Sequence, residues 1–171
     1  MYTTEEDILI QSYFSIAFLA ELHNNNFLKS ETYEKMSFED NYIKENLPSI
    51  GIVNRGTILQ SLYSMLVLPK ELISDKFPED FSALNDIMES LNAGVETTYT
   101  TDNTKVNFVR HIRNSVAHGR IRFENDLIIF NDQNKESSQT CEIKITLTNF
   151  GQFIIKLQSI FFAFIESIKN K

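Results

Sequence analysis

At 171 residues, with 42% apolar and 23% charged positions, the chain has the makings of one globular domain that needs neither disulfides nor a structural metal. Its formal net charge of −7 argues against general binding along a nucleic acid, since phosphate neutralisation needs an excess of lysine and arginine. The lone Cys141, the acidic start MYTTEEDILI and the lack of an apolar run of roughly 18 residues fit a cytoplasmic protein with no signal peptide and no membrane partner.

In chain order, Thr4 and Asp7 form a capping-box pattern ahead of ILIQSYFSIAFLAELHN, which is apolar on nearly every face and predicts a buried first helix ended by NNNF. A second capping pattern in SFEDNYIKENLPSIG predicts a shorter helix from about Ser37, closed by the Leu47-Pro48 step. In GTILQSLYSMLVLPKE, apolar residues from Ile58 to Val67 cover most of a helix surface, as expected of a central core helix that Pro69 stops. Phe81, Leu84, Met88 and Leu91 form one stripe of an outer helix. Residues 92–103, NAGVETTYTTDN, lack periodicity and read as a loop.

A further helix is expected from near Thr104 to Gly119. There the period falls to two, and RIRFEN, DLIIFND and CEIKITLT read as strands joined by the Asn125-Asp126 turn and a polar loop at 133–140. The last helix runs from about Asn149 to Lys169, and Ile155 and Phe162 widen its apolar face beyond what one core contact needs. The expected fold class is mainly α: a single domain over 1–171, a helical bundle with a small antiparallel hairpin or meander inserted at about 120–147.

Charge is unevenly spread. Between Asn103 and Phe123 stand Lys105, Arg110, Arg113, Arg120 and Arg122 with no acid, leaving 11 basic against 23 acidic residues elsewhere. Such a strip suits a focused anion site. On an ideal helix Val106, Val109, Ile112 and Val116 form an apolar stripe, while Asn107, His111, Asn114 and His118 lie nearly opposite and are expected to face outward. His118 directly precedes Gly119, which ends the helix. A histidine there also suits the helix dipole, and any solvated helix carries a polar face. What sets the segment apart is an Arg, a polar residue next to it and a His five positions on, all inside the acid-free strip. There is no P-loop, G-x-G-x-x-G or H-E-x-x-H, and the three histidines do not form a metal-ligand cluster with Cys141; His23 reads as structural or merely exposed.

Arg113-Asn114-Ser115-Val116-Ala117-His118 resembles the R-x4-6-H motif of the HEPN superfamily, in which a polar residue, often Asn, follows the Arg. The longer IRNSVAHGRI is similar to a branch of bacterial HEPN nucleases, and NRGTILQSLYSMLVLPKE and the strands before the last helix extend the resemblance over roughly the whole chain. The resemblance implies a homodimeric, metal-independent endoribonuclease without a cofactor, a toxin or defence effector whose partners are RNA and an antitoxin protein. It implies catalytic roles for Arg113, His118 and Asn114. Histidine moves protons near neutral pH, and arginine grips phosphate bidentately and stabilises the charge of the pentavalent transition state. Arg110, His111, Arg120 and Arg122 are expected to position RNA. Relatives silenced by a nucleotidyltransferase tend to carry a tyrosine two residues after the histidine; here Arg120 stands in that place. Five residues set Arg113 about 140° from His118 on a helix. Either the Arg curls round, the helix loosens at Gly119, or two subunits build the site. The alternatives are a catalytically inactive HEPN module that binds RNA or a nucleotide, or that serves only to dimerise, and a structural domain whose cationic strip holds an acidic protein.

Overall fold

A computed structural model describes residues 2–69 and 73–169. Helix α1 (Thr4–Asn24) is capped one residue earlier than the sequence suggests: Thr3 accepts from the Glu6 amide, and the Glu6 carboxylate accepts from the Thr3 amide, both at 3.1 Å. The shift lets Glu6 fold back into a buried position. Contrary to the expectation of a buried helix, α1 covers Leu9 and Ile10 while Ile8, Phe14 and Phe18 are at least half exposed.

The helix expected from about Ser37 is α3 (Asn41–Ile50), which starts later and is capped by Asp40; ahead of it stands a short helix that the sequence pattern does not predict, α2 (Glu31–Lys35), capped by Ser30. Pro48 lies inside α3 and does not close it. Proline lacks the N–H that would bond the Lys44 carbonyl. The Tyr33 hydroxyl donates to that carbonyl instead, at 2.7 Å, which makes the proline tolerable there. Helix α4 (Arg55–Leu62) continues through a π-helical turn, Tyr63–Val67, and buries Leu62, Met65 and Leu66 as a core helix should. Lys70 and Glu71, at the end of that stretch, lie outside the described residues. Helix α5 (Pro78–Ser90) turns Leu84 and Met88 inward.

The segment expected to be a loop contributes strand β1 (Gly94–Thr97), which pairs with β4 from Gly94 opposite Lys144 to Thr97 opposite Cys141. After it come α6 (Phe108–Ala117), β2 (Ile121–Glu124), β3 (Leu127–Asn134), β4 (Gln139–Thr146) and α7 (Leu147–Ile168). The sheet is antiparallel in the order β1-β4-β3-β2. The expected helical majority holds, but the bundle with a small hairpin or three-stranded meander does not. A four-stranded sheet takes an edge strand from before α6, so α6 is spanned by its own sheet. Four residues with no alternation of their own carry too little signal to read as a strand; β1 is defined by its partner.

One sheet face, with Ile128, Phe130, Cys141, Ile143 and Ile145, is buried with Phe108, Ile112 and Val116 of α6 and Phe150 and Phe153 of α7. The other carries Arg122, Glu124, Glu142 and Lys144 in ion pairs. Helix α7 is long and apolar enough to cross a bilayer by length and composition, although Gln152, Lys156 and Gln158 interrupt its apolar run. Eight of its apolar side chains are instead buried, each full burial contributing roughly 1.5–3 kcal/mol. Ile155 and Phe162 stand exposed.

Candidate active site

Both ends of α6 are fixed by side chains or special backbone. Asn107 Oδ1 accepts from the Arg110 amide at 3.0 Å and Asn85 Oδ1 from the Val109 amide at 3.1 Å. Asn107 is thus a cap and not part of an outward polar face. At the far end the Arg120 amide bonds the Ser115 carbonyl (2.8 Å) and the Gly119 amide the Val116 carbonyl (3.1 Å), a Schellman closure with Gly119 at φ +63°. His118 is the cap residue itself, exposed and out of helical geometry.

The closure places His118 on the wall of a polar pocket of about 590 Å³, with Tyr99, Arg110, Asn114, Arg120, Asp132 and the start of the β3–β4 turn. Four of the expected site residues, Arg110, Asn114, His118 and Arg120, therefore share one pocket. Arg120 is steadied by donating from Nη1 to the Gln133 carbonyl at 3.0 Å. Arg113 is not on this wall, but its Nη2 donates to Asn114 Oδ1 at 3.1 Å. Partial burial pushes the Arg113 pKa down, Asp132 opposes the shift and Arg110 adds to it. Arg122 is not brought here: it projects from the opposite sheet face and pairs with Glu124 and Glu142.

His111 departs most from expectation. It is fully buried, because the polar side of α6 is turned toward β3 and the 100–102 turn and not toward solvent. Its Nδ1 lies 2.8 Å from Asp132 Oδ2 and its Nε2 2.7 Å from Asp102 Oδ2. A carboxylate thus meets each ring nitrogen and holds the imidazole from both edges. Arg110 Nη2 donates to Asp102 Oδ1 at 3.0 Å, and the Tyr99 ring packs against both side chains, 4.8 Å from the imidazole and 5.1 Å from the guanidinium, the latter a cation–π contact. Burial alone would raise the Asp102 pKa; hydrogen bonds from Thr97 and His111, with the charges of His111 and Arg110, hold it below the ordinary aspartate value. Asp132 Oδ2 also accepts from Asn114 Nδ2 at 3.1 Å.

Sequence reasoning missed Asp102 and Asp132. Asp132 was legible: it follows Ile128 and Phe130 at the inward register of a strand, where an acid requires a buried partner. Asp102, in a short turn, offers no such signal. Donor atoms of Asp102, His111 and Cys141 do come within 4.8 Å of one another, a cluster the linear spacing hides. The set fits a metal poorly. Arg110 Nη2 already stands 3.0 Å from His111 Nε2, supplying the cation, and burial pushes the Cys141 thiol up to about 12, away from the thiolate that would bind an ion.

The cationic strip is largely neutralised from within. Lys105 pairs with Asp86, Arg110 with Asp102 and Arg122 with two glutamates, so among the described residues Arg113 and Arg120 alone of the five make no ion pair.

No curated protein and no solved structure matches the chain. The family model described as HEPN pEK499 p136 matches residues 1–167. With nearly the whole sequence inside that match, the chain belongs to the HEPN pEK499 p136 family, and so to the HEPN domains.

Proposed function

We propose that the chain is a metal-independent endoribonuclease of HEPN type, a cytoplasmic toxin or defence effector that cuts RNA by attack of the 2′-hydroxyl on the adjacent phosphate. The observation that carries the proposal is the exposed His118 imidazole on a polar pocket whose wall also holds Asn114, Arg110 and Arg120. In the reaction the O2′–P bond forms and the P–O5′ bond breaks. One imidazole takes the proton of the 2′-hydroxyl and an imidazolium gives one to the leaving 5′ oxygen, leaving a cyclic phosphate and a 5′-hydroxyl. Arg113 stabilises the added negative charge of the pentavalent transition state.

A single His118 cannot serve as base and acid at once, and Arg113 stands off the pocket wall. The working unit is therefore a homodimer that joins two His118 and two Arg113, and the exposed Ile155 and Phe162 suit a covered face. A second reading, a module that holds RNA or a nucleotide without cutting it, is favoured by the place of Arg113 off the pocket wall.

Incubation of the purified protein with structured and single-stranded RNAs in EDTA separates the two. Cleavage is expected to survive chelation, and His118→Ala and Arg113→Ala to slow it by roughly 10²-fold or more. Activity recovered only with added Mg²⁺ or Mn²⁺ would overturn the mechanism, and binding without cutting would establish the second reading. Light scattering across a dilution series is expected to show a dimer at micromolar concentration; full activity per chain in a monomer would rule out the shared site.

A further inference from the structure

We infer that the buried Asp102–His111–Asp132 array is a positioning device for the cleavage reaction: it orients Asn114, and Asn114 holds the Arg113 guanidinium in place. His111 and Asp132 are thus positioning residues, and the inference rests on the ribonuclease reading above.

The hydrogen bonds run in one continuous series. Asp102 Oδ2 meets His111 Nε2 at 2.7 Å, His111 Nδ1 meets Asp132 Oδ2 at 2.8 Å, Asn114 Nδ2 donates to that same oxygen at 3.1 Å, and Arg113 Nη2 donates to Asn114 Oδ1 at 3.1 Å. Donor and acceptor chemistry allows one orientation. A carboxylate cannot donate, so Asn114 must show Asp132 its NH2 group, which leaves its carbonyl oxygen for Arg113. An amide facing the other way would set oxygen against oxygen at Asp132 and nitrogen against nitrogen at Arg113. The acceptor oxygen of Asp132 therefore decides which face Asn114 offers the guanidinium.

A stability role explains the array less well. Carboxylates and an imidazole buried together cost desolvation that their attraction barely offsets, and apolar residues of similar volume would hold a core at least as firmly. The array also sits where rigidity has a use. Asp132 and Asn114 both line the pocket that holds His118, and His111 is fixed on both edges between β3 and the 100–102 turn. A long arginine side chain loses rotamer freedom when it must meet one phosphate, and a held carboxamide bears that cost before substrate arrives.

The test uses the full chain, with Asp132→Ala to remove the anchor and Asp132→Asn to keep an acceptor oxygen in the same volume. Two readouts apply. By ¹⁵N NMR of the side chains, the Arg113 guanidinium and the Asn114 carboxamide are expected to be ordered in the unsubstituted protein. They should be averaged by rotation in Asp132→Ala and ordered again in Asp132→Asn, with the backbone spectrum of the folded protein retained. In single-turnover cleavage at saturating protein, Asp132→Ala is expected to lower the rate about 10²-fold, the scale of misplacing a reacting group by about 1 Å, and Asp132→Asn to recover most of it. If Asp132→Ala does not fold, an Asp132→Asn protein with unchanged Asn114 and Arg113 signals and rate upholds the need for an acceptor. One that cuts normally while both groups rotate freely overturns the inference. If the unsubstituted protein cuts no RNA, the ribonuclease reading fails by itself, and the NMR comparison still decides the positioning role: Arg113 signals insensitive to Asp132→Ala would sink it.

Discussion

Gly119 shows how one backbone angle places the proposed catalytic group, His118. A Cβ at this position would meet no atom within 4 Å, yet its φ of +63° is one that L side chains rarely adopt. Gly119→Ala is therefore expected to cost about 1–2 kcal/mol through backbone strain alone, measured by denaturant unfolding, and to disturb His118. A cost near zero would mean that the closure is not built as described. At Asp102 the folded pKa lies below its ordinary value, so the stability it contributes is complete above about pH 4 and is lost as pH falls through the folded value. Asp102→Asn should destabilise the protein at neutral pH, with a gap that closes in acid; a constant gap would show that the charge is not what matters. His118 could be singled out from sequence by its place before a glycine. The true environment of His111 could not, since helical spacing tells which residues share a face and not what that face meets.

Elements with a strong internal pattern were legible: the core helix around Leu62 and Met65, the alternating strands β2 to β4, and α7. Elements defined by a distant partner were not. Strand β1 exists through β4, and α3 continues through Pro48 because a side chain from α2 takes up the freed carbonyl. Tyr33→Phe isolates that second contribution. It should destabilise the fold by about 1 kcal/mol by leaving the Lys44 carbonyl short of a donor, read as a shift in the urea midpoint with unchanged slope. An unchanged midpoint would mean that water serves the carbonyl equally well. The same dependence on distant partners hid the candidate site, where Asp102, His111 and Asp132 come from three separate elements and meet only in the folded chain.

At the scale of the whole molecule, the proposed RNA substrate would meet fewer free cations than the sequence suggests. Ion pairing leaves Arg113 and Arg120 of the strip available, so RNA binding should weaken with salt at a slope of roughly −1.4 per protomer, from about −0.7 for each neutralised phosphate of a single strand. A slope near −3.5 would mean that all five cations reach phosphate, and a slope of zero that none does. Weak electrostatic capture fits the proposed action at a focused pocket.

In the proposed reaction the substrate's own 2′-hydroxyl attacks the phosphate, with His118 moving the protons. The most direct measurement maps the cleavage position in an RNA, then repeats single-turnover cleavage in EDTA on the same strand with one 2′-deoxy substitution at the nucleotide before the scissile phosphate. Loss of cutting at that position, with a cyclic phosphate on the product of the all-ribose strand, is the predicted result. Undiminished cutting of the deoxy-substituted strand would contradict it.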